Sequence, residues 1–214
     1  MKILYQDKDI CIIEKSPGQV CEDCAGGIPQ LLREQLQVDY IGVVHRLDAG
    51  TGGAMVYALN KRSAANLSAQ LQNGELTKQY TAVIHGCPPE PKGQLRDLLF
   101  HDRRTNKTYC VNRERKGVKE AVLEYEVIKT ENGCSLLKIK LLTGRTHQIR
   151  VQLGSRKMPL LGDKRYGAKD EYKNFALWAQ TLTFIHPANG KTVTFQIPPP
   201  QTVPWTEFIL MNDE

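Results

Sequence analysis

The sequence lacks the features that would place it in a membrane or on a secretory route. Its 214 residues contain no apolar run of about 18 residues, so no membrane-spanning helix is predicted. The N-terminus turns polar at Gln6 and Asp7, too early for the apolar segment of a signal peptide. With 41% hydrophobic and 24% charged residues the composition is that of an ordinary globular chain, and we expect it to stay in the cytoplasm.

The sequence also has little that could bind a metal ion. Of its six cysteines, only Cys21 and Cys24 form a CxxC pair. A structural zinc site needs four ligands, usually from two such pairs, and no second pair or HxxxH follows. We therefore expect free thiols and no metal. A small metal- or thiol-dependent enzyme that uses this pair is the least favoured alternative.

Motifs for nucleotide cofactors and for hydrolases are missing as well. The glycine-rich segment from Gly50 to Gly53 does not continue as GxGxxG, because the third glycine would fall at Met55. Neither GxxxxGK[ST] nor GxSxG occurs in the chain. We therefore expect no cofactor.

Positive charge, in contrast, is present in excess and is concentrated. Twenty-nine Lys and Arg residues against 23 Asp and Glu residues give a net charge of +6. Two blocks, at 103–119 and 145–166, hold much of the excess, with a single acidic residue in each. Either block alone is also compatible with a solvated face. Together they indicate a polyanionic partner, most simply a nucleic acid.

Hydrophobic patterning and turn residues predict a single α+β domain over residues 1–214, mostly antiparallel with flanking helices. The segment that begins at Arg103 is expected to form an exposed hairpin, and Asn60 and Gly74 are expected to bound a helix. The predicted strands are 3–6, 10–14, 41–47, 54–59, 77–85, 121–129, 135–142, 177–185 and 192–197. The predicted helices are 29–36, 61–73, a short one beginning near Thr146, and a terminal one around 205–211.

One segment suggests catalysis through a carboxylate. Asp48 is expected at the end of the predicted strand 41–47 and is followed by Gly50, Gly52 and Gly53, which allow a substrate to approach the backbone closely. An aspartate in this position is also common as a turn residue that accepts local backbone hydrogen bonds. The spacing alone leaves both interpretations open.

A second segment suggests binding of an anion. Arg145 comes just before a predicted helix start, where Thr146 can act as the cap and free N–H groups favour negative charge. The planar guanidinium binds a carboxylate or a phosphate through two hydrogen bonds. The alternative is a surface arginine tied to the helix start.

These residues and several others together resemble the RluA-type RNA pseudouridine synthases. The resemblance spans nearly the whole chain, in the family's order. The matching segments are Lys15-Ser16-Pro17-Gly18, His45-Arg46-Leu47-Asp48, Lys78-Gln79-Tyr80, Gly144-Arg145-Thr146-His147-Gln148-Ile149-Arg150, and Gly162-Asp163 with Tyr166-Gly167.

The resemblance implies a pseudouridine-synthase catalytic domain that isomerises specific uridines in RNA without a cofactor or metal. Ribosomal RNA is the preferred substrate and transfer RNA the second. Asp48 matches the catalytic aspartate, Tyr80 the active-site tyrosine, and Arg145 the arginine that pairs with the aspartate. The alternative is a catalytically idle RNA-binding or chaperone protein of the same fold.

The resemblance and the basic blocks also predict which residues contact RNA. Arg46 matches the arginine beside the catalytic aspartate, which in some members enters the space left by the flipped base. The full set of predicted RNA contacts is Arg46, His45, Thr51, Thr146, His147, Arg150, Arg103, Arg104, Lys107 and Arg113.

The chain departs from the family pattern at a few positions. Gly52 stands where a serine is usual after the aspartate, Gln152 where a histidine is common, and Ser16 is inserted between Lys15 and Pro17. We expect these changes to affect the choice of substrate more than the activity. We find no S4-like RNA-binding module before the domain, and a monomer is the default expectation.

Overall fold

A computed structural model describes residues 1–209 of the chain. The strands are β1 (Lys2–Gln6), β2 (Ile10–Lys15), β3 (Gly42–Val43), β4 (Gly52–Ala58), β5 (Thr77–His85), β6 (Lys92–Asp102), β7 (Lys107–Val111), β8 (Val118–Glu131), β9 (Cys134–Leu141), β10 (Leu177–Ile185) and β11 (Thr192–Gln196). The helices are α1 (Ile28–Leu36), α2 (Lys61–Asn73), α3 (Gln148–Gly154) and α4 (Thr206–Ile209), with a 3-10 turn at Lys164–Tyr166. No helix within the described residues is long and apolar enough to cross a membrane.

The chain divides into two compact units. The first contains residues 1–79 and 178–198, and the second contains residues 80–177 and the segment from 199 onward. The predicted α+β class with largely antiparallel strands is confirmed. The expectation that residues 1–214 act as one catalytic domain stays a prediction.

In the first unit the strand order is β1-β2-β4-β10, with β3 paired to β4 and β11 paired to β10. All these pairs are antiparallel except β4 with β10, which run parallel through Trp178 opposite Gly52 and Ala179 opposite Gly53. Every residue of β4 is buried, as expected of a central strand covered on both faces. The residues that immediately precede β4 are thereby attached to a strand that is buried along its whole length.

Helix α2 has the bounds that its sequence predicts. The side chain of Asn60 accepts a hydrogen bond from the backbone N–H of Ser63 at 2.8 Å, which caps the first turn. Gly74 ends the helix with a φ of 76°, a left-handed conformation that glycine adopts without strain. Leu67 is buried on the inner face of this helix.

In the second unit the strand order is β5-β9-β8-β6-β7. Strands β8 and β9 are joined at Asn132 and Gly133, whose φ values of 51° and 73° are typical of the tight hairpin turn that this dipeptide predicts. Strands β6 and β7 form the exposed hairpin predicted for the segment from Arg103, with the basic residues at its turn. Leu99, Ala121 and Val151 form a buried cluster behind it.

Three predicted boundaries are wrong or incomplete. The strand predicted at 41–47 is paired only at Gly42–Val43. Residues 44–51 form a loop whose backbone oxygens accept hydrogen bonds from the side chain of Lys15 and from other loop backbone, and not from a neighbouring strand. The residue at the N-cap position of α3 is His147, in a left-handed conformation with a φ of 55°, and not Thr146, and its side chain makes no capping hydrogen bond. Of the predicted terminal helix, α4 covers Thr206–Ile209, and residues 210 and 211 lie outside the described residues.

Candidate active site

A buried lysine anchors the loop that carries Asp48. Lys15, the last residue of β2, is 0% exposed, and its ammonium group donates hydrogen bonds to the backbone oxygens of Thr51 at 2.7 Å, Ala49 at 2.9 Å and Asp48 at 3.3 Å. Burial lowers the pKa of Lys15, and the negative charge of Asp48 acts in the opposite direction. The carbonyl dipoles compensate the buried charge, so lysine and loop fix each other.

His45 anchors the same loop at a second point. Its imidazole is 4% exposed, and Nε2 accepts a hydrogen bond at 3.2 Å from the backbone N–H of Val56 in β4. Burial, together with the positive charge of Lys78, holds the pKa of His45 well below its usual range, so the ring is neutral at pH 7. His45, which the sequence predicts to contact RNA, is therefore buried within its own unit, where its ring attaches the loop to β4.

Asp48 lies in this loop and is half-buried. Its backbone oxygen accepts a hydrogen bond from the N–H of Thr51 at 2.9 Å, which closes a tight turn after it. The charge of Asp48 acts on Lys78 in β5. Desolvation lowers the pKa of Lys78 to about 8, and the negative charge of Asp48 opposes that shift. The backbone that carries this carboxylate is thus fixed, and the carboxylate interacts with the positive charge of Lys78.

The neighbours of Asp48 differ in exposure. Arg46 is exposed, and its guanidinium forms an ion pair at 2.8 Å with Glu22, also exposed. Such a surface pair contributes about 1 kcal/mol or less, so RNA can displace it at low cost. Thr51 is buried, which places this predicted RNA contact beneath the surface of its unit.

In the second unit, Arg145 precedes α3 as predicted. Its Nε donates a hydrogen bond to the backbone oxygen of Glu120 at 2.9 Å. The buried side chain of Gln148 accepts from the backbone N–H of Arg145 at 3.0 Å and from the hydroxyl of Thr143 at 2.8 Å. Gln148 therefore fixes the backbone from which the arginine extends, a role that the sequence analysis missed.

A hydrogen-bond network connects β7 to the start of α3. The backbone N–H of Thr108 donates to the phenol oxygen of Tyr166 at 2.9 Å, and this oxygen lies 2.9 Å from Nδ1 of His147. The hydroxyl of Thr108 donates to the backbone oxygen of Thr146 at 2.9 Å. Thr146 and His147 are therefore held in place by β7 and Tyr166.

Arg150 is the predicted RNA contact whose surroundings differ most from the expectation. It forms two hydrogen bonds to Asp163, Nε to Oδ2 at 2.7 Å and Nη2 to Oδ1 at 2.9 Å. The two side chains are 7% and 1% exposed. The guanidinium also lies 4.1 Å from the ring centre of Phe175. These contacts point to a structural role for Arg150.

Of the other predicted basic contacts, Arg103, Arg104 and Arg113 are exposed and Lys107 is half-buried. Arg103 and Arg104 form the turn between β6 and β7, Lys107 begins β7, and Arg113 lies in the loop before β8. The turn is anchored by Arg165, whose guanidinium donates to the backbone oxygens of residues 105 and 106 at 3.0 and 2.9 Å. The hairpin thus offers positive charge on a supported turn.

The three predicted catalytic residues are distributed over both units. Asp48 belongs to the first unit, whereas Tyr80, buried in β5, and Arg145 belong to the second. All six cysteines are free thiols. No group of three metal-ligating side chains occurs within residues 1–209.

Comparison with known proteins identifies the family. A family model described as RNA pseudouridylate synthase matches residues 9–155. The dual-specificity RNA pseudouridine synthase RluA of Escherichia coli is 33% identical, over 92% of this chain and 92% of its own length. Ribosomal large subunit pseudouridine synthase D of Zymomonas mobilis is 30% identical, over 94% of this chain and 70% of its own length.

A solved structure shows the same fold. Human RNA pseudouridylate synthase domain containing 1 superposes with a TM-score of 0.80 at 23% identity, covering 94% of this chain and 84% of its own. The chain therefore belongs to the RNA pseudouridylate synthase family, and the resemblance to its RluA-type members is confirmed. It is an isomerase that converts uridine in RNA to pseudouridine.

Proposed function

We propose that this isomerase acts on specific uridines of ribosomal RNA, and secondarily of transfer RNA, with Asp48 as its catalytic carboxylate. The observation that carries the proposal is the construction of the Asp48 loop. Lys15 holds three of its backbone oxygens and His45 attaches it to β4, so the carboxylate sits on a preorganised backbone. Such preorganisation is expected of a group that acts on a reacting bond.

The reaction itself needs no external reagent. The bond between C1′ and N1 of uridine breaks, the uracil ring turns, and a bond forms between C1′ and C5, while C5 loses a proton and N1 gains one. Substrate and product are isomers, so nothing is oxidised or reduced. Asp48 can attack the ring, attack C1′ or remove a C2′ proton, and each route requires an ionised, fixed carboxylate.

Other residues of the matched motifs have assigned roles in this proposal. The uridine must leave the base stack before its glycosidic bond can be reached. We assign the ring of Tyr80 as the flat surface that holds the loosened base, since stacking on an aromatic ring contributes about 1–3 kcal/mol per base. We keep Arg145 in the catalytic set because it matches the arginine of the family motif, and we assign exposed Arg46 to the space left by the displaced base.

The choice of RNA is supported by the names of the relatives. One is named as dual-specificity, and another as acting on the large ribosomal subunit. The test is tritium release from RNA labelled with [5-³H]uridine, in separate ribosomal and transfer RNA pools. We expect release from the ribosomal pool. Release from transfer RNA alone would overturn the preference, and binding without release from either pool would support an idle RNA-binding protein.

The β6–β7 hairpin is expected to bind phosphates. Changing Arg103 and Arg104 together to Gln should weaken RNA binding at low salt and reduce the slope of log K against log salt by up to about 2, because each phosphate contact contributes about 0.9. The rate at saturating enzyme should stay unchanged, since neither residue belongs to the proposed catalytic set. Filter binding at several salt concentrations measures the slope.

A matched control removes the same charge elsewhere. Lys61 and Arg62 are exposed at the start of α2, and changing both to Gln lowers the net charge equally. The slope of this control variant should remain that of the parent. Equal slopes for the two double variants would contradict the prediction, because they would show that Arg103 and Arg104 affect RNA binding only through the net charge of the protein.

A further inference from the structure

We propose that Trp178 is a positioning residue for the isomerisation, acting through Gly52 on the loop that carries Asp48. The proposal rests on the catalytic role proposed for Asp48. It assigns a role to the tryptophan at the start of β10, which belongs to none of the matched motifs. It also corrects the role expected for Gly52 at the start of β4, because the space beside this glycine is filled by the indole ring and not left open to a substrate.

The indole of Trp178 occupies the space that a side chain at position 52 would need. The two residues are opposite each other in the parallel pair of β4 and β10. A Cβ atom added to Gly52 would lie 2.2 Å from Cζ3 and 2.7 Å from Cε3 of Trp178, and 3.0 Å from the backbone oxygen of Lys15. Carbon atoms do not approach so closely, so the indole packs directly on the glycine backbone.

Trp178 is itself fixed in place. Its side chain is 3% exposed, and its indole N–H donates a hydrogen bond to the backbone oxygen of Ile197 at 3.0 Å. A buried indole whose N–H is satisfied combines a large packed surface with a fixed orientation. The ring cannot turn away from Gly52 without losing this bond.

The contact is transmitted to Asp48 over a short path. Gly52 follows Thr51, whose N–H donates to the backbone oxygen of Asp48 at 2.9 Å and whose own oxygen accepts from Lys15 at 2.7 Å. Gly53 is equally constrained, since its φ is 120° and an added Cβ would lie 2.2 Å from the backbone oxygen of Ala179. The end of the loop is thus held by Lys15 of β2 and by Trp178 of β10.

This arrangement accounts for the departure of Gly52 from the serine usual at its position. With Trp178 present, even a methyl group at position 52 would displace the indole or the start of β4. A side chain at position 52 therefore requires a smaller residue than tryptophan at position 178. Since a displacement of about 1 Å at a reacting group can lower a rate about 10²-fold, the contact of Trp178 with Gly52 is expected to affect turnover more than RNA binding.

The experiment measures single-turnover tritium release at saturating enzyme, the RNA dissociation constant and the melting temperature. Trp178→Leu and Gly52→Ala should each lower the single-turnover rate about 10- to 100-fold and leave the dissociation constant within about twofold of the parent. Trp178→Phe, which keeps a ring against Gly52, should retain more activity than Trp178→Leu. The double variant Gly52→Ala/Trp178→Leu should be faster than Gly52→Ala alone, because the smaller side chain makes room for the methyl group.

Trp205→Leu is the matched control, because Trp205 is the other buried tryptophan of the chain and belongs to the second unit. It should lower the melting temperature without changing the rate of the folded enzyme. If Trp178→Leu or Gly52→Ala keeps the parental single-turnover rate, or if the double variant is no faster than Gly52→Ala, the positioning role is overturned. If the parent releases no tritium, or Asp48→Asn keeps the parental rate, the proposed function fails and the positioning role fails with it.

Discussion

Changing Asp48 to Asn is expected to reduce the single-turnover rate about 10³-fold or more while the fold and the RNA affinity are retained. An amide has nearly the shape of the carboxylate but cannot ionise, so it cannot act as a nucleophile or take a proton. The loop should keep its conformation, because Lys15 binds the backbone oxygens of Asp48, Ala49 and Thr51, which the substitution leaves intact. The loss should therefore appear in the rate and not in the dissociation constant.

The measurement is tritium release with enzyme in excess over labelled RNA, beside filter binding of the same RNA. Asp39→Asn is the matched control: Asp39 is exposed in the same unit, and the substitution makes the same chemical change. Its rate should equal that of the parent. A parental rate in Asp48→Asn would remove Asp48 from the catalytic role, whatever the control shows.

The parts of the fold that the sequence predicts correctly depend on local signals. Helix α2 begins after Asn60 and ends at Gly74 because a side-chain cap and a left-handed glycine act within one turn of each terminus. The turn at Asn132 and Gly133 is determined by the positive φ of both residues. Neither feature needs a partner distant in the sequence.

The segment 44–51 shows where such signals are insufficient. Its composition favours a strand, but the ammonium group of Lys15, more than thirty residues earlier, binds its backbone oxygens, and the ring of His45 accepts the N–H of Val56. Only β3, the first part of the predicted strand, is paired. The motif thus singles out Asp48 as the candidate carboxylate. The contacts that hold its loop come from residues that only the fold brings near.

The same limit applies to the residues around Asp48. Sequence matching gave His45 and Thr51 as RNA contacts, but burial depends on packing that one sequence does not display. The fit of Trp178 against Gly52 joins strands that are far apart in the chain. A glycine in place of serine is visible in the sequence, whereas the ring that fills the vacated space is visible only in the structure.

The second prediction with a large effect concerns the buried pair of Arg150 and Asp163. Asp163→Asn is expected to lower the free energy of unfolding by about 3–5 kcal/mol, because it leaves a guanidinium buried without its carboxylate partner. Arg150→Met should cost a similar amount, because it leaves the carboxylate of Asp163, 1% exposed, without its cation. Equilibrium unfolding in urea measures both values.

Two further variants separate this pair from an ordinary ion pair. The double variant Arg150→Met/Asp163→Asn removes both charges and should be less destabilised than the sum of the single variants. Arg96→Gln breaks an exposed pair with Glu120 in the same unit and should cost about 1 kcal/mol or less.

The RNA measurements then decide between the two roles considered for Arg150. If Arg150 has a structural role, Arg150→Met should lose stability while the salt dependence of RNA binding keeps the parental slope. The slope is measured at low temperature, where the variant is still folded. An RNA contact predicts the reverse: a slope reduced by about 1 and a stability close to that of the Arg96→Gln control. With two hydrogen bonds to Asp163 and 7% exposure, Arg150 is expected to show the first pattern. The second pattern would restore Arg150 to the RNA-binding set that its motif predicts.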